Sequence, residues 1–308
     1  MTKTVFIDGG AGTTGLEIAD RLAGRPDLAI LTLPDDRRKD ATARREAIND
    51  ADFVILCLPD DAAREAVSLI ANDRTRVVDA STAHRTAQGW VYGFAELEPD
   101  QQDRIAAARF VSNPGCYPTG FLALVRPLVR AGIIPADWPV TVNAASGYSG
   151  GGKAMIAEYE TATERAFRPY GLSLAHKHAP EMKRHSGLSH APIFAPSVVD
   201  TYRGMVVEVP LPLYALPGAP TLDRVADTLA EAYAGSRIVT FGAGDVAAVN
   251  IEENAGTDRM TLRVCGNPAT GQVRLIATLD NLGKGAGGAA VQNLNIMAGL
   301  DPTAGLVL

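Results

Sequence analysis

The chain has 308 residues, of which 46% are hydrophobic and 21% charged, and its formal net charge is −6 at pH 7. This composition predicts a globular protein and excludes a broad nucleic-acid-binding surface, which needs an excess of basic residues. No apolar run approaches the roughly 20 residues that a membrane-spanning helix needs, and no signal-peptide pattern follows Met1. The three cysteines lack metal-ligand spacing, so we expect a cytoplasmic protein without a disulfide framework or bound metal.

Strands and helices alternate along the first part of the chain. The predicted strands are residues 4–8, 28–33, 53–58 and 76–79, and the predicted helices are residues 14–23 and 62–71. Alternation of this kind places strands side by side in parallel, with helices on both faces. We therefore predict an α/β fold with a Rossmann-like, doubly wound parallel sheet, an architecture that binds dinucleotides.

A glycine-rich loop joins the first predicted strand to the first predicted helix. Gly9, Gly12 and Gly15 have the spacing G-x-x-G-x-x-G, and Gly10 adds a further glycine. Such glycines permit a tight turn, let the backbone approach a pyrophosphate, and bring helix and strand close together. An ordinary glycine-rich turn is the alternative. Our candidates for dinucleotide contacts are Gly9, Gly12, Thr13, Thr14 and Gly15.

Three later loops follow predicted strands of the same sheet, where a bound cofactor is contacted in this fold. The second strand runs into a charged segment, residues 35–39, with both acidic residues and arginines. A carboxylate there binds the ribose 2′-hydroxyl of NAD and an arginine the 2′-phosphate of NADP, so this segment alone does not separate the two cofactors. Arg37, Pro59 and Ser81 are the candidate cofactor contacts in these loops.

The pattern changes after Cys116, where the predicted strands lengthen and several alternate apolar with polar residues. The predicted strands are residues 139–145, 205–210, 260–265 and 273–279, and the predicted helices are residues 118–130, 154–165, 222–234 and 285–297. Such alternation is typical of an antiparallel sheet with one exposed face. We predict a nucleotide-binding domain at residues 1–115, completed by a C-terminal helix within residues 285–308. The catalytic domain, residues 116–284, is predicted as α+β with a mainly antiparallel sheet that presents a homo-oligomer face, in a dimer or a tetramer.

The segment from Ser112 to Gly120 places a cysteine between a predicted strand and a predicted helix. Pro114 and Gly115 make a tight turn, and Pro118 suits the first turn of a helix. A thiol at a helix N-terminus faces unpaired N–H groups and the positive end of the helix dipole, both of which favour the nucleophilic thiolate. Cys116 is therefore a candidate nucleophile, and a small buried hydrophobe at a turn is the alternative.

Four of the five histidines fall between residues 176 and 190. A histidine paired with a cysteine that is distant in sequence serves as acid–base partner of the nucleophile. His178 and His176 are the candidates for that role, with Glu181 orienting the histidine or balancing its charge. The His-x-His spacing also occurs in zinc sites, but no nearby cluster of cysteines or carboxylates completes one. A basic surface loop is a further alternative.

Residues 146–153, Ser-Gly-Tyr-Ser-Gly-Gly-Gly-Lys, follow a predicted strand and precede a predicted helix. Their backbone N–H groups, hydroxyls and lysine suit an anion. The segment lacks the Walker A pattern, which argues against a nucleoside triphosphate. Ser146, Gly147 and Lys153 are candidates for contact with substrate or phosphate.

Together these segments resemble the N-acetyl-γ-glutamyl-phosphate reductase family, in its shorter, type 2 subfamily. The resemblance rests on residues 9–15, 112–120, 146–153 and 176–182, and on Asp-Asn-Leu-Gly-Lys-Gly at 280–285 with Val-Gln-Asn at 291–293. These segments occur in the family's order along nearly the whole chain. The loop Gly-Gly-Ala-Gly-Thr-Thr-Gly departs from the family's more usual Gly-Ala-x-Gly-Tyr-Thr-Gly.

The resemblance implies an activity of arginine biosynthesis, the NADPH-dependent reduction of N-acetyl-L-glutamyl 5-phosphate to N-acetyl-L-glutamate 5-semialdehyde with release of phosphate. It implies a thioester on Cys116, with His178, or as second choice His176, as acid–base partner. Substrate contacts are then expected at Asn113, Ser146, Gly147, Lys153 and Glu181, and cofactor contacts at Asn281 and Lys284. The alternatives are a related semialdehyde dehydrogenase, of the aspartate type or for another phosphorylated amino acid, and a non-catalytic NADP-binding protein of the same fold.

Overall fold

The computed structural model describes residues 2–34, 36–161, 163 and 166–308, so Asp35 and the predicted helix end at Arg165 lie outside the described residues. The chain divides into two compact units. Unit 1 comprises Met1–Gly115 and Ala286–Leu306, and unit 2 comprises Cys116–Gly285 and Val307–Leu308.

Unit 1 is built on a parallel sheet. Its strands are β1 (Lys3–Asp8), β2 (Leu28–Leu31), β3 (Phe53–Leu56), β4 (Arg76–Asp79), β5 (Val91–Tyr92) and β6 (Phe110–Ser112). Its helices before residue 116 are α1 (Thr13–Leu22), α2 (Ala41–Asp50), α3 (Asp60–Ser68) and α4 (Gln101–Ala107). The strand order is β2-β1-β3-β4-β6-β5, and all neighbouring strands run parallel.

Unit 2 contains a second, mixed sheet. Its strands are β7 (Thr141–Gly147), β8 (Phe167–Pro169), β9 (Ile193–Val199), β10 (Met205–Pro212), β11 (Val239–Phe241), β12 (Met260–Asn267) and β13 (Gln272–Leu279). Its helices are α5 (Cys116–Arg130), α6 (Gly152–Thr161), α7 (Ala179–Ser186) and α8 (Leu222–Ala232). The order is β11-β12-β13-β10-β7-β9-β8, in which β11 pairs with β12 and β7 with β9 in parallel, while the other pairs are antiparallel. The sheet is mainly antiparallel, as predicted.

The last helix, α9 (Gly288–Ala298), returns to unit 1 after a π-helical turn at Gly283–Gly287. Unit 1 buries one apolar cluster on each face of its sheet. On one face, Ile18 of α1, Ile105 of α4 and Leu294 of α9 pack against β1, β3 and β4. On the other face, Ile48 of α2 and Ala63 of α3 pack against the alternate residues of the same strands. Helices on both faces of a parallel sheet confirm the predicted doubly wound fold.

Helix α5 crosses the inner face of the second sheet at very short range. A Cβ atom on Gly120 would lie 2.7 Å from Cγ2 of Val207 in β10, so only glycine allows this approach. Further along, Pro127 has no N–H to donate to the carbonyl of Ala123 one turn earlier. The hydroxyl of Tyr233, at the end of α8, donates to that carbonyl at 2.9 Å. A tertiary bond thus replaces the missing helical one.

Within the described part of the chain, no helix combines the length and apolar character that crossing a bilayer demands.

Candidate active site

Cys116 is the first residue of α5, two positions before the predicted helix start at Pro118. Its side chain is partly exposed. A Cβ atom on Gly285 would lie 3.0 Å from Cβ of Cys116, so the backbone at Gly285 passes directly beside the cysteine. The first N–H groups of a helix have no acceptor within the helix, and they favour negative charge on a sulfur placed there.

An aromatic cluster in unit 2 holds both candidate histidines. The rings of His176 and His178 meet edge to face with centroids 4.7 Å apart, and the ring of Tyr117 lies 6.1 and 6.0 Å from them. Phe194 of β9 lies 5.0 Å from the ring of His176 and 5.1 Å from that of Tyr117. Because Tyr117 directly follows Cys116, this cluster brings the histidines to the start of α5.

Two tyrosines that the sequence analysis did not single out complete this cluster. The hydroxyl of Tyr170 donates to that of Tyr117 at 3.2 Å, and the hydroxyl of Tyr117 donates to the carbonyl of Ser197 at 3.0 Å. Burial raises the pKa of Tyr117 well above its usual range and that of Tyr170 to about 12, and a negative charge on Cys116 raises both further. Both phenols therefore stay protonated beside the cysteine. The adjacency of Tyr117 to Cys116 was the one signal in the sequence.

The two histidines differ in character. The backbone N–H of His178 donates to Nδ1 of His176 at 3.1 Å, so the neutral ring of His176 carries its proton on Nε2. Burial, with a smaller contribution from the charge of Lys177, lowers the pKa of His176 to about 4. His178 precedes α7 as its N-cap and is only 6% exposed. Glu181 is buried in the first turn of the same helix.

The glycine-rich segment after β7 uses its first N–H groups within the protein. Gly147, Tyr148 and Ser149 donate to the carbonyls of Gly204, Thr201 and Tyr202, at 2.8, 2.9 and 3.2 Å. These three N–H groups are therefore not available to an anion, contrary to the cradle that the sequence suggested. The exposed ammonium of Lys153 in the first turn of α6 remains for that purpose. The buried hydroxyl of Ser146 donates to the carbonyl of Gly147 at 3.0 Å and has to turn away from it to donate to an anion.

Asn281 joins this segment to the end of β13. Its side-chain nitrogen donates to Oγ of Ser149 at 2.8 Å, and its oxygen accepts from the backbone N–H of Gly204 at 2.9 Å. Asn281 therefore fixes two loops of unit 2 against each other. Lys284 lies in the π-helical turn and is 2% exposed.

The glycine loop of unit 1 fits a dinucleotide. A Cβ atom on Gly9 would lie 2.3 Å from the carbonyl oxygen of Cys57, and one on Gly15 would lie 2.6 Å from Cα of Gly10. No side chain fits at these two positions, which lie where β1 and β3 both end. These two strands are neighbours at the point where the strand order reverses. Gly12 is the N-cap of α1 and brings no side-chain cap, so the first N–H groups at Thr13 and Thr14 point to the position that a phosphate takes at a helix N-terminus.

Other predicted residues of unit 1 lie at or near the carboxyl ends of its strands. Ser81 follows β4, where its hydroxyl donates to Oδ2 of the fully buried Asp79 at 2.8 Å. The same carboxylate oxygen lies 2.6 Å from Nδ1 of His84, whose ring stacks on Trp90 at 4.1 Å. Sequence reasoning missed this arrangement, because nothing in the pattern of residues 79–90 links them.

Pro59 is exposed as the N-cap of α3, and Arg37 is exposed in the turn after β2. Both positions leave the side chains open to a cofactor on this side of the sheet.

Asn113 is engaged on all sides within unit 1. Its side-chain nitrogen donates to the carbonyl of Ala286 at 3.0 Å, and its oxygen accepts from Asn293 at 3.0 Å. Its backbone N–H donates to the carbonyl of Asp79, and its carbonyl accepts from Arg85. The sequence suggested a substrate contact, but this side chain holds the turn that precedes Cys116.

No group of three or more histidine, cysteine, aspartate or glutamate side chains is arranged to hold a metal ion among the residues that the structure describes.

Two family models match the chain. The one described as semialdehyde dehydrogenase, NAD binding domain, covers residues 4–105, and the one described as semialdehyde dehydrogenase, dimerisation domain, covers residues 116–281. The structure of aspartate semialdehyde dehydrogenase II from Vibrio cholerae, complexed with ASA, matches at a TM-score of 0.74 and 15% identity, over 97% of this chain and 98% of its own. A probable aspartate-semialdehyde dehydrogenase from Pseudomonas aeruginosa matches at 0.74 and 14%, over 97% and 99%. The fold is that of the semialdehyde dehydrogenases.

Relatives in sequence narrow this class. The N-acetyl-gamma-glutamyl-phosphate reductase 2 of a Nostoc species is 49% identical over 98% of both chains. The N-acetyl-gamma-glutamyl-phosphate reductase of Rhizobium etli is 52% identical, over 96% of this chain and 99% of its own. A second reductase 2, from Pseudomonas putida, is 51% identical over 97% of both. The chain belongs to the N-acetyl-γ-glutamyl-phosphate reductase family, which confirms the resemblance of its motifs.

Proposed function

We propose that the protein catalyses the NADPH-dependent reductive dephosphorylation of N-acetyl-L-glutamyl 5-phosphate to N-acetyl-L-glutamate 5-semialdehyde, a step of arginine biosynthesis. The observation that carries the proposal is a partly exposed cysteine at the first position of α5, next to a cluster with two unlike histidines. Relatives of 49% and 52% identity that bear this enzyme's name support the choice of substrate.

Cys116 acts first, as a nucleophile. Its thiolate attacks the carbonyl carbon of the acyl phosphate, the carbon–oxygen bond to phosphate breaks, and a thioester on the sulfur remains. The positive end of the helix dipole at the start of α5 favours the thiolate of Cys116, both before the attack and when the thiolate is released. When bound, NADPH supplies the hydride that reduces this thioester. The resulting thiohemiacetal on Cys116 then collapses to the aldehyde and the thiolate.

His178 is the acid–base partner in this proposal. It accepts the thiol proton of Cys116, and later it transfers the proton to and from the thiohemiacetal oxygen. His176 is less suited to that role, because burial lowers its pKa to about 4 and its Nδ1 is already bonded to the backbone N–H of His178. We assign to His176 the task of holding His178 in place, and to Glu181, buried one turn into α7, that of orienting the histidine or the charged end of the substrate.

The substrate's anionic groups are assigned to Ser146 and Lys153. Lys153 offers an exposed ammonium, and Ser146 a hydroxyl at the end of β7. Gly147 and Asn113 support this assignment indirectly, because the first lets the loop at residues 201–204 pack without a side chain and the second holds the turn before Cys116.

The cofactor is assigned to unit 1 through the thin glycine loop at Gly9, Gly12 and Gly15 and the helix N-terminus at Thr13 and Thr14. In the loops that follow the strands, Arg37 is the candidate partner of the 2′-phosphate of NADPH, with Pro59 and Ser81 beside it. Asn281 and Lys284 complete the assignment at the nicotinamide end. Asn281 acts there through the loops it holds, since both of its polar atoms bond within unit 2.

We also infer that the protein is a cytoplasmic homo-oligomer. On the outer face of the second sheet, the side chains of Ile193 and Phe167 are 55% and 62% exposed, and Phe167 pairs with Val199, six positions along β9 from Ile193. A protein interface on this face would cover both apolar side chains. A second copy of the chain is the occupant that a family model described as a dimerisation domain supports.

The proposal is tested by Cys116→Ser, with Cys265→Ser as the matched control on β12. We expect phosphate-dependent oxidation of N-acetylglutamate semialdehyde by NADP⁺ to fall by about four orders of magnitude in the first variant only, while NADPH binding, followed by fluorescence titration, is retained. Full activity of Cys116→Ser would refute the mechanism. Preference for aspartate semialdehyde would point to a related dehydrogenase, and NADPH binding without turnover of either substrate to a non-catalytic protein.

A further inference from the structure

Asp280 is a buried carboxylate that collects donors from three segments of unit 2. It is 0% exposed. Its Oδ2 accepts from the backbone N–H of Gly256 at 2.6 Å and from the guanidinium of Arg203 at 3.3 Å. Its Oδ1 accepts from the backbone N–H groups of Leu282 at 2.7 Å and Gly283 at 3.2 Å. Hydrogen bonds to an ionised acceptor are the strong ones, so these four donors lock the carboxylate and the segments around it together.

Two of these bonds begin the π-helical turn at Gly283–Gly287. The turn closes with a bond from the N–H of Gly285 to the carbonyl of Asp280 at 2.9 Å. A π-helical turn is rarely stable by itself and is found mostly where function requires it. Asp280 therefore fixes both the start and the shape of this turn.

The turn is also the backbone that lies against the nucleophile. A Cβ atom on Gly285 would come within 3.0 Å of Cβ of Cys116 and 2.9 Å of the carbonyl oxygen of Asp280. The chain thus connects the buried carboxylate to the cysteine through a single glycine without a side chain, and all of these contacts lie within unit 2.

We propose that Asp280 is a positioning residue, which holds the turn at Gly283–Gly287 so that the backbone at Gly285 keeps Cys116 in its attacking orientation. The proposal rests on the proposed role of Cys116 as nucleophile. The carboxylate is required because an asparagine of the same shape presents its NH₂ group to at least one pair of donors, where both oxygens of Asp280 now accept.

The test compares Asp280→Asn and Gly285→Ala with Leu211→Ala. Leu211 is 3% exposed and pairs with Val273 at the far end of β10, six residues or roughly 20 Å from Met205, which pairs with Ser146. Its truncation lowers stability without touching the turn. We expect kcat of the phosphate-dependent oxidation to fall about 100-fold in the first two variants, with KM near that of the wild type. Leu211→Ala should keep kcat once the folded fraction is taken into account.

Alkylation of Cys116 by iodoacetamide, followed by peptide mass spectrometry at pH 8, reports the position of the sulfur without any substrate. We expect iodoacetamide to alkylate Cys116 faster in Asp280→Asn than in the wild type, because the backbone at Gly285, which shields Cys116, is released. Burial raises the pKa of the Cys57 thiol to about 12, so labelling of Cys57 stays slow unless unit 1 unfolds. The labelling of Cys57 therefore serves as an internal reference.

Equal loss of kcat in Asp280→Asn and Leu211→Ala, or unchanged alkylation of Cys116 in Asp280→Asn, would overturn the proposal. Activity of Cys116→Ser would instead remove the nucleophile assignment, while the alkylation comparison would still show whether Asp280 sets the position of residue 116.

Discussion

Acid is expected to destabilise the protein through His176. Burial lowers the pKa of this ring from 6.5 to about 4 in the folded chain. Between these two values the unfolded chain binds a proton that the folded chain does not. The free energy of unfolding therefore falls as the pH drops through this window, and the full stability is present above pH 6.5.

The size of the effect follows from the same values. The difference between 6.5 and about 4 sets an upper limit of about 3 kcal/mol. Because the ring is partly exposed, water screens part of this, and we expect about 2 kcal/mol. For a unit of this size, that lowers Tm by about 4–8 °C.

His176→Asn isolates this contribution. The asparagine oxygen takes the place of Nδ1 as acceptor for the N–H of His178, and it does not titrate. Thermal unfolding of wild type and variant is followed by circular dichroism from pH 7.5 to 4.5. The loss of Tm over this range should be smaller in the variant by about 4–8 °C. His190→Asn, which removes an exposed histidine of the same unit, is the control and should follow the wild type. Parallel curves for wild type and His176→Asn would show that His176 does not carry the effect.

Two further predictions concern the cofactor and the assembly. Gly15→Ala places a Cβ atom 2.6 Å from the backbone of Gly10, so it should cost about 1–3 kcal/mol of stability and weaken NADPH binding about tenfold, measured by fluorescence titration. Gly10→Ala, whose Cβ meets only ordinary contacts at 3.5 Å, should keep the stability of the wild type, and equal losses in both would contradict the steric argument. Ile193→Glu should lower the molar mass in solution by light scattering with little change in Tm, and an unchanged mass would exclude this face as the interface.

Local signals in the sequence predicted much of unit 1. An apolar run predicted the buried strand β3, and the glycine spacing predicted the loop before α1. The observed bounds of β3 and α1 differ from the predicted bounds by two residues or fewer. Helix α2 was not predicted, because its buried apolar residues are mostly small, with Ile48 beside Ala43 and Ala47. Its buried Arg44 forms an ion pair with Asp8 of β1 at 2.9 Å, a contact across 36 positions that no local pattern contains.

The same limit applies to the candidate site. Cys116 and the histidine segment were predictable from motifs, but α7 was not, since its buried side is Glu181 and Met182 rather than a regular apolar stripe. The distinction between the two histidines depends on one hydrogen bond, which the backbone N–H of His178 donates to Nδ1 of His176. Likewise, the N–H groups at residues 147–149 donate to carbonyls of a loop more than 50 positions away. Such tertiary hydrogen bonds leave no local pattern in the sequence.

The proline in α5 has a consequence for the order in which the molecule matures. Until Tyr233 has docked, the carbonyl of Ala123 has no donor, which costs about 1–3 kcal/mol once the helix is buried. A nascent chain that ends before α8 therefore carries α5 without this donor, and the helix gains it only when Tyr233, 110 positions after Ala123, has been made and has docked.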